Sequence, residues 1–577
     1  QESNEMKQLL WNHLPCDDAQ SSALAVALNV HPTIARLLWM RGFGDAEGAF
    51  RFLNPSLDHL HDPFKLADMD KAIPRLERAI ANRERIAIHG DYDVDGITST
   101  VILRRALEML GGDVIHFLPE RMRDGYGLQP AAIERLHAQG VRLIVSVDCG
   151  IRAGEAAQRA RDLGVDLIIT DHHEPEGTLP SALAVINPKR PDCTYPDKHL
   201  AGVGVALKVV QALCDRAGKN KWLPAFVKIA ALGTLADVVP LVGENRVIAR
   251  LGLASLSSGP HAVGLRALLD ACGLTGKTID SYHVGFMIAP RVNAAGRMST
   301  PDIAARLLLA TDEALGDEAR ALAQQLCDEN LKRQTEEADL VTQAKKAIET
   351  DPAVGAHNVL VVGGLGWHRG VIGIAASKLV DTFHKPSIVL SIDGDVAHGS
   401  CRSIPAFDLL AALEHCSDLF VKFGGHKQAA GLTMEAGRVP EFRARINAYA
   451  DEVIEPDQLR PRLRIDAPLS LKAITHDLMR GLDQLGPFGL SNPRPVFHAS
   501  GVQIVDGPRT IKERHLKMTF AQDGRRFKAM AWRAAERADF LEQNRDGMQL
   551  AFSLDKNEWK GETYLELTVA DFKGLTD

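Results

Sequence analysis

Between residues 85 and 186, short apolar runs alternate with amphipathic stretches, and this rhythm restricts the possible folds more than any other feature. The apolar runs cover residues 86–88, 114–118, 143–147, 167–169 and 184–186. The stretches between them, for example 130–138 and 153–163, have the spacing of amphipathic helices. Strands and helices that alternate in this way form parallel sheets, because each helix carries the chain back across the sheet. We therefore predict an α/β domain built on a parallel sheet.

After the first α/β region, the sequence pattern changes three times. Residues 312–349 lack strand signals and are rich in Glu, Lys, Gln and Ala, which predicts one or two long helices joining two lobes. A second α/β unit follows, with predicted strands at 359–362 and 387–390. Short alternating runs near the C-terminus predict a small β-barrel. The predicted units are an N-terminal helical and mixed segment (1–75), the main α/β domain (76–311), connecting helices (312–350), a second α/β domain (351–457) and the barrel (458–577).

Composition and charge exclude several classes of protein. Hydrophobic residues make up 45% and charged residues 24% of the 577 residues, as in globular proteins. The net charge of −7 argues against a uniformly basic binder, although local basic patches can still bind nucleic acid. No apolar run reaches the ~20 residues of a membrane span, and no early segment resembles a signal peptide. The eight cysteines form no CxxC pair, which argues against a zinc ribbon and fits reduced thiols. We expect a cytoplasmic protein that does not bind membranes.

Acidic and imidazole side chains directly follow three of the predicted strands. Asp91, Asp93 and Asp95 alternate after the first, Asp148 follows another, and a third is followed by Asp-His-His at 171–173. Alternate residues of an extended segment share a face, and open α/β sheets bind ligands at the carboxyl ends of their strands. Taken singly, each signal also fits a solvated acidic turn or a helix cap. Three such clusters at one edge favour a binding site.

A fourth carboxylate, Asp237, stands inside an apolar stretch, where an unpaired charge is costly to bury. It requires a cation, a basic partner or a capping position. Asp and His ligands without cysteine suit Mn²⁺, Mg²⁺ or Fe²⁺ better than a structural zinc ion. The number of carboxylates predicts two metal ions, an arrangement that activates water and stabilises the leaving oxygen in phosphoester hydrolysis. The expected bridging ligand is Asp93 or Asp148.

The order and wording of these motifs resemble the DHH phosphoesterase family. Asp-x-Asp-x-Asp-Gly, Val-Asp-Cys-Gly, Asp-His-His and Gly-Thr-Leu-Ala-Asp-Val-Val-Pro-Leu occur in this order. Further segments are similar to the bacterial single-strand-specific 5′→3′ DNA exonucleases of that family, at 119–127, 200–206, 290–297, 367–375 and 423–431. The resemblance covers about residues 45–577. It implies a parallel-sheet DHH domain, a DHH-associated substrate-binding domain joined by a long helical linker, and a C-terminal OB fold.

The resemblance also implies roles for individual residues at the metal centre. The implied metal ligands are Asp91, Asp93, Asp95, Asp148, His172 and Asp237. The implied catalytic residues are Asp93, Asp148, His172 and His173. His173 would contact the scissile phosphate or support His172. His89 has the spacing of a ligand in some DHH pyrophosphatases, and its role stays open.

A further group of residues is expected to bind the end of the strand. In the segment 397–403, small residues and an arginine precede a helix, a pattern that can cradle a phosphate. The resemblance implies that the 5′-terminal phosphate is bound by Arg297, Ser400 and Arg402. It also implies a substrate surface at Gly424, Gly425 and His426. The alternatives are a loop with a solvated arginine and a tight strand–helix turn.

Two basic segments with interleaved aromatic residues predict contacts along the strand. The first consists of Arg121, Arg123 and Tyr126, where the tyrosine would stack on a base and the arginines would follow the phosphates. The second lies in the predicted barrel and consists of Lys512, Arg514, Lys517, Arg526 and Lys528. Its aromatic neighbours match a strand-binding OB fold. A solvated basic face is the alternative.

We therefore expect an exonuclease that uses two Mn²⁺ or Mg²⁺ ions, releases 5′ mononucleotides from single-stranded DNA and acts in DNA repair and recombination. The expected partner is single-stranded DNA, with single-strand-binding protein and recombination or mismatch-repair factors as further candidates, and the expected state is a monomer. One alternative is a phosphodiesterase for short oligonucleotides or cyclic dinucleotides, against which the barrel argues. The other is a non-catalytic replication scaffold, against which the intact metal motifs argue.

Overall fold

The structure is a computed structural model that describes residues 9–121, 123–125, 127–559 and 562–575. Its N-terminal elements are β1 Leu10–His13, α1 Asp18–Leu28, α2 Pro32–Met40 and α3 Ala46–Leu53. Asp17 caps α1 by accepting hydrogen bonds from the backbone N–H groups of Ala19 and Gln20. No single helix among the described residues is long and apolar enough to cross a membrane, and α1 and α2 meet that criterion only as a pair bent by 117°.

A five-stranded parallel sheet forms the centre of the first α/β unit, as the sequence predicts. Its elements are α4 Met69–Ala81, β2 Arg85–His89, α5 Val94–Met109, β3 Asp113–Phe117, α6 Pro130–Ala138, β4 Leu143–Val147, α7 Gly154–Asp162, β5 Asp166–Thr170 and β6 Ala184–Ile186. The strand order is β3-β2-β4-β5-β6, and every pairing is parallel. The chain leaves β2 toward β3 and returns to β4 on the other side. A topological switch point therefore lies between the carboxyl ends of β2 and β4, where such sheets bind ligands.

The strands of this sheet are apolar on both faces because helices cover both sides. Ile86 and Ile88 of β2 pack in one core with α4 and α5. Ala87 of β2 and Ile144 of β4 pack in a second core with α6 and α7. The sheet is therefore a rigid support, and only the loops at its strand ends are free to build a site.

A layer of helices follows the sheet and leads into a long connecting helix. These helices are α8 Gly202–Ala217, α9 Leu223–Ala236, α10 Gly243–Ser258, α11 Val263–Ala271, α12 Ser281–His283, α13 Ala289–Met298, α14 Asp302–Leu309, α15 Gly316–Thr350 and α16 Pro352–Gly355. The first half of α15 buries Leu322 and Leu326 in the core of the first unit. Its second half buries Leu340 and Ile348 in the core of the next unit. One continuous helix of 35 residues thus holds the two lobes together.

The second unit is a mixed sheet with helices on its faces. Its elements are β7 Leu360–Leu365, α17 Ile372–Phe383, β8 Ser387–Asp393, β9 Val396–Arg402, α18 Leu409–His415, β10 Phe420–Gly425, β11 Ala429–Glu435 and α19 Val439–Val453. The strand order is β10-β11-β9-β8-β7, in which only β7 and β8 are parallel. In β9, His398, Ser400 and Arg402 share one face because side chains alternate along a strand.

The C-terminal unit is a closed barrel, as predicted. Its elements are β12 Arg462–Ile465, β13 Ala467–Pro468, α20 His476–Leu485, β14 Phe497–Ile511, β15 His515–Gln522, β16 Arg525–Ala531, α21 Ala538–Gln543, β17 Met548–Trp559 and β18 Glu562–Gly574. The order β14-β15-β16-β18-β17 closes through pairing of β14 with β17. Closure removes the open sheet edges that would otherwise pair with other chains.

The N-terminal elements pack against this barrel rather than standing alone. Strand β1 pairs in parallel with β12, and the Trp11 indole N–H donates to Asp571 of β18 at 2.7 Å. Leu37, Leu38 and Phe52 are buried in the same core as the barrel residues. Three short helices bury too little apolar surface by themselves, so the barrel completes their core.

Candidate active site

Asp91 and Asp93 lie in the turn that joins β2 to α5, and Asp95 lies in the first turn of α5. Asp93 caps α5, since its Oδ1 accepts a hydrogen bond from the Gly96 N–H at 3.0 Å. Asp95 accepts two hydrogen bonds of 2.7 Å from the N–H groups of Gly202 and Val203 at the start of α8. A Cβ atom at Gly96 would lie 2.5 Å from the Asp91 backbone, so only glycine lets this turn close. The turn thereby directs its carboxylates into the switch point.

Asp148 reaches the same place from the end of β4. Its backbone has a φ of 58°, a left-handed conformation that is uncommon outside glycine. The side chain is buried, and its Oδ1 has no hydrogen-bond partner among the described residues. A Cβ atom at Gly202 would lie 2.6 Å from this oxygen. The first glycine of α8 therefore makes room for a carboxylate held in a strained position.

The Asp-His-His motif follows β5, and its three side chains make different contacts. Asp171 Oδ1 accepts from the N–H groups of His172 and His173, and it lies 2.7 Å from Nδ1 of His173. Its Oδ2 accepts from the Ile151 N–H at 2.9 Å. Asp171 is thus fully occupied in orienting the two histidines. His172 points its Nε2 into the switch point, 3.2 Å from Asp148 Oδ1.

Asp237 completes the cluster from the end of α9. Its Oδ2 lies 3.6 Å from His172 Nε2, and Asp95 Oδ2 lies 3.9 Å from the same nitrogen. Three sets of side chains have ligand atoms within 4.8 Å of one another. They are Asp91, Asp93 and Asp148; Asp95, His172 and Asp237; and Asp148, His172 and His173. Every residue that the sequence predicts as a ligand falls in one of these sets.

The electrostatics of the cluster favour bound cations. Burial, followed by the charge of neighbouring aspartates, raises the pKa of Asp91 to about 8, of Asp95 to about 7 and of Asp237 to about 9. The same causes raise the pKa of Asp148 well above its usual value. So many buried carboxylates cannot all ionise unless positive charge compensates them. Divalent cations, which carboxylate and imidazole ligands bind, would provide it.

The two histidines differ in protonation. Burial, with the nearby charge of His173, lowers the pKa of His172 to about 3, so its imidazole is neutral and able to bind a metal ion. Burial would also lower the pKa of His173, but its hydrogen bond to Asp171 raises it above the usual value. His173 can therefore carry a positive charge beside the cluster.

His89 belongs to none of the three sets in the described part of the chain. It is fully buried, its ring stacks on Phe117 with centroids 5.3 Å apart, and its Nδ1 lies 3.6 Å from the Cys149 sulfur. Its Nε2 has no hydrogen-bond partner among the described residues. Burial lowers its pKa to about 4. His89 is therefore a neutral ring behind the acidic turn.

A cavity of about 600 Å³ adjoins the cluster and is lined by cations. It brings together the three residues predicted to bind the terminal phosphate, which are Arg297, Ser400 and Arg402. The Tyr92 side chain, between Asp91 and Asp93, lines the same cavity and connects it to the acidic turn. No Asp or Glu of the described residues lines this cavity.

Three arginines of this cavity, Arg121, Arg297 and Arg402, are partly buried close to one another. Burial lowers the pKa of Arg297 to about 10, and the charge of Arg121 acts in the same direction. Burial also lowers the pKa of Arg402, and Arg121 again contributes. Partly buried guanidinium groups that repel one another favour a bound anion, which would compensate their charge. Gly373, at the start of α17, lets the helix backbone come close to Ser400, because a Cβ atom at Gly373 would lie 3.0 Å from Ser400 Oγ.

The residues of the first basic segment, which the sequence predicts to contact the strand, do not all lie at the cavity. Arg121 lines the cavity and lies over the Tyr92 ring, 4.2 Å from its centroid. Arg123 instead points to the surface and pairs with Asp124 at 3.1 Å. Tyr126 lies outside the described residues.

The glycine motif at 424–426 shapes one rim of the cavity. Gly424 lines the cavity. Gly425 has a φ of 151°, and a Cβ atom there would lie 2.4 Å from the Ala429 carbonyl oxygen, so the β10–β11 hairpin requires glycine. His426 sits in this hairpin, and its N–H donates to the same carbonyl. Burial, then the charges of Arg402, Arg152 and His173, lower its pKa.

The predicted basic residues of the barrel are all placed on its surface. Lys517 of β15 and Arg526 and Lys528 of β16 alternate with buried neighbours, so they point outward on adjacent strands. Lys512 and Arg514 lie in the turn between β14 and β15. Lys528 lies 6.0 Å from the centroid of the Tyr564 ring. These five exposed residues of the β14–β15 turn and of strands β15 and β16 are here called the barrel basic face.

The cavity residues that are missing from the set predicted from the sequence include Tyr92, His398 and Lys422. His398 had a usable signal, because it alternates with Ser400 and Arg402 along one strand. Lys422 had none, since it reaches the cavity from β10, which is separated from β9 by β11.

Comparison with known proteins agrees with this architecture. Three family models match the chain: the DHH family N-terminal domain over residues 85–234, the DHHA1 domain over 356–452 and the RecJ OB domain over 465–571. The single-stranded-DNA-specific exonuclease RecJ of Bacillus subtilis is 36% identical over 98% of this chain and 71% of its own length. The protein of the same name from Escherichia coli is 35% identical over 93% of this chain and 95% of its own length.

A solved structure supports the same relationship. The crystal structure of RecJ in complex with Mn²⁺ from Thermus thermophilus superposes with a TM-score of 0.83 at 32% identity. The match covers 98% of this chain and 80% of that one. The sequence similarity over nearly the full length, the three matched domains and the acidic site at the switch point establish the family. This chain belongs to the RecJ family of single-stranded-DNA-specific exonucleases.

Proposed function

We propose that this protein is a metal-dependent exonuclease that degrades single-stranded DNA from its 5′ end and releases 5′ mononucleotides. The observation that carries the proposal is the position of Tyr92. Its neighbours Asp91 and Asp93 belong to the acidic cluster, while its side chain lines the cavity of Arg297, Ser400 and Arg402. A site for cations therefore adjoins a site for an anion.

The residues of the cluster fit Mn²⁺ or Mg²⁺. Asp148 Oδ1 and His172 Nε2 are buried without hydrogen-bond partners among the described residues. Burial and the charges of neighbouring carboxylates raise the pKa of Asp148, so the ionised cluster lacks compensating positive charge. Two ions would be held by Asp91, Asp93, Asp95, Asp148, His172 and Asp237. When bound, such ions act as Lewis acids, which activate water and stabilise the leaving oxygen.

The chain's own residues would position the strand and its charges. Arg297, Ser400 and Arg402 would hold the 5′-terminal phosphate, and because this cavity is fixed relative to the cluster, the bond presented for hydrolysis would always be near the end. His173, held by Asp171, would direct its Nε2 and its positive charge toward the scissile phosphate. This geometry supports stepwise removal of single nucleotides.

Other parts of the proposal concern the cellular setting. We propose that the barrel basic face binds the strand farther from its 5′ end, and that the protein works as a monomer in the cytoplasm. Single-strand-binding protein and recombination or mismatch-repair factors are the proposed protein partners. Eight free cysteines fit a reducing compartment.

The test is digestion of a long single-stranded DNA that is labelled at either end. With Mn²⁺ or Mg²⁺ we expect immediate release of the 5′ label as a mononucleotide, late release of the 3′ label, and no release with a chelator. Hydrolysis of a dinucleotide without attack on the long strand would assign the enzyme to short substrates. Tight strand binding without any hydrolysis would assign it to a scaffold role.

A further inference from the structure

A tight turn at residues 368–371 joins the two halves of the phosphate cavity. The turn precedes α17 in the second unit, and its Gly370 lines the cavity. Arg297, on α13 of the first unit, donates from Nη1 to the Gly370 carbonyl oxygen at 3.0 Å. A Cβ atom at Gly370 would lie 2.6 Å from the Arg297 carbonyl oxygen, so the two backbones touch. The second unit therefore meets the first at a residue that is proposed to bind the terminal phosphate.

His368 holds the shape of this turn. Its Nδ1 accepts a hydrogen bond from the Gly370 N–H at 3.1 Å. Its carbonyl oxygen accepts from the N–H groups of Val371 and Ile372, at 2.9 and 3.3 Å. Three successive N–H groups are thus directed at one residue. Burial lowers the pKa of the His368 ring, which favours the neutral form in which Nδ1 can accept.

The segment that contains the turn is anchored at both ends. Trp367 packs in one core with Leu340 of α15, and its indole N–H donates to Oε1 of Gln343 on the same helix at 3.1 Å. At the other end, Gly373 of α17 lies so close to Ser400 that it leaves no room for a side chain. The conformation of the turn between these anchors therefore determines where the Gly370 carbonyl points.

Helix α13 carries Arg297 and also touches the acidic turn. Asn293 Oδ1 accepts from the Val94 N–H at 3.1 Å. A Cβ atom at Gly296 would lie 2.4 Å from the Tyr92 carbonyl oxygen, so the helix packs directly against the acidic turn. One helix is thus in contact with the cation site and, through Arg297, with the second unit. Its contact with Gly370 sets the separation between the acidic cluster and the phosphate cavity.

The hydrogen bond to Gly370 orients a side chain that has many rotamers when it is free. It engages Nη1 of Arg297, and the other N–H donors of the guanidinium remain available for an anion. A displaced carbonyl oxygen would turn the guanidinium away from that anion. Misplacements of about 1 Å in an active site can lower a rate about a hundredfold.

We propose that His368 is a positioning residue for recognition of the 5′ end. It acts through Gly370, whose carbonyl oxygen directs Arg297 toward the terminal phosphate. This inference rests on the proposed function, which places the 5′-terminal phosphate in the cavity. The turn keeps that phosphate at a fixed distance from the acidic cluster, so that the bond one nucleotide from the end is the one presented for hydrolysis.

The test compares the rates at which a 5′-phosphorylated strand and a 5′-hydroxyl strand are digested with Mn²⁺. The ratio of the two rates is the measurement, because a general loss of activity cancels in it. For His368→Leu, which removes the acceptor, we expect the ratio to fall about tenfold while the rate on the 5′-hydroxyl strand stays within about twofold of the wild type. His368→Asn should restore the ratio, because an asparagine side-chain oxygen accepts from the N–H two residues further along the chain.

Two further variants separate positioning from folding. Gly370→Ala keeps His368 but places a Cβ atom against the Arg297 carbonyl oxygen, so it should also lower the ratio. In an Arg297→Gln background, His368→Leu should change the ratio little, since residues that act through one another do not have additive effects.

His31→Leu is the matched control. His31 Nδ1 accepts from the Thr33 N–H, also two residues further along, at 3.2 Å at the start of α2. The variant loses the same kind of hydrogen bond far from the cavity, and it should keep the wild-type ratio. Thermal unfolding with and without Mn²⁺ checks that each variant is folded.

Wild-type ratios in both His368→Leu and Gly370→Ala, together with a ratio lowered by Arg297→Gln, would overturn the inference and leave the proposed function standing. An equal fall of the ratio in His31→Leu would overturn it too, because the effect would then follow stability alone. Failure of the proposed function is a different result. The wild-type protein would digest both strands at the same rate, or Arg297→Gln would leave the ratio unchanged, and the inference would fall with it.

Discussion

Nε2 of His172 lies 3.2 Å from Oδ1 of Asp148, and both atoms are buried without a hydrogen-bond partner in the described part of the chain. Burial keeps His172 neutral, with a pKa of about 3, so this contact is not an ion pair. Where the imidazole proton is on Nδ1, Nε2 and Oδ1 are two acceptors that repel unless a proton or a cation lies between them. The pair therefore marks a place that a metal ion can occupy.

The first prediction concerns Asp148→Asn. We expect nucleotide release to fall by about a hundredfold or more, because the amide removes a negative charge that is shared by two ligand sets. We also expect the melting temperature of the metal-free protein to rise, because repulsion among the carboxylates decreases. Differential scanning calorimetry with EDTA and with Mn²⁺ measures both stabilities.

Asp162→Asn, which alters an exposed carboxylate at the end of α7, is the matched control and should change neither quantity. Retention of both full activity and normal Mn²⁺ stabilisation in Asp148→Asn would show that the ligand assignment is wrong.

The second prediction concerns the pH dependence of stability without metal. Asp91, Asp95 and Asp237 have pKa values raised to about 8, 7 and 9 in the folded protein, so the folded state binds more protons than the unfolded state above the ordinary carboxyl pKa. The free energy of unfolding must then decrease as pH rises through these values. Urea unfolding in EDTA from about pH 5 to about pH 9 should show this decrease.

Saturating Mn²⁺ should reduce this slope, because the bound cation favours the ionised carboxylates. An EDTA-treated protein whose stability is constant or rises over this range would contradict the crowding of carboxylates on which the site assignment depends.

The third prediction concerns the phosphate cavity. Arg402→Gln removes a partly buried guanidinium. We expect it to slow digestion of a 5′-phosphorylated strand by about tenfold to a hundredfold, since hydrogen bonds to charged groups contribute about 1.5–3 kcal/mol. Digestion of a 5′-hydroxyl strand should change much less. The ratio of the two rates is the measurement.

Arg445→Gln, at an exposed arginine of α19 that pairs with Asp418, is the control and should leave the ratio unchanged. If Arg402→Gln slows both strands equally, the cavity does not recognise the terminal phosphate.

The clustering of these acidic and imidazole side chains was predictable where they follow strands of the sheet. Asp91, Asp148 and His172 each follow a strand whose apolar run is evident, and the order of strands brings those ends together. The alternating aspartates do not share a face of one extended segment, as their spacing predicts, because Asp93 caps α5 and Asp95 lies in its first turn. The sequence does not show that the residues of the Asp-His-His motif have different roles. Asp171 becomes an orienting group only because the Ile151 N–H and His173 occupy its oxygens.

Contacts between distant segments were not predictable. Strand β1 pairs with β12 from the far end of the chain, and no local pattern specifies that partner. Arg246 of α10 is a second case, since its guanidinium donates to the carbonyl oxygens of Phe52, Gln484 and Leu485. A sequence shows that such an arginine exists, but only the packed chain shows that it joins three parts of the molecule.

The fourth prediction concerns the barrel basic face. If it follows the phosphates of a single strand, Lys517→Gln and Lys528→Gln should each reduce the slope of log affinity against log salt by about 0.7. The double variant should reduce the slope by roughly twice as much. Strand binding at several salt concentrations measures the slopes. Lys221→Gln, at an exposed lysine of the first unit, is the control, and equal slopes in all variants would remove the barrel basic face from the strand path.

The last prediction concerns a buried charge outside the site. Lys208 of α8 is fully buried and donates to Glu244 at 2.8 Å, while the Tyr195 hydroxyl donates to the other oxygen of Glu244 at 2.6 Å. Lys208→Met would leave the Glu244 carboxylate buried without its cation, which costs about 3–5 kcal/mol in comparable pairs. The double variant Lys208→Met/Glu244→Gln removes both charges and should recover a large part of that loss. Urea unfolding measures both free energies, and a double variant no more stable than the single one would show that hydrogen bonding, rather than the unpaired charge, determines the cost.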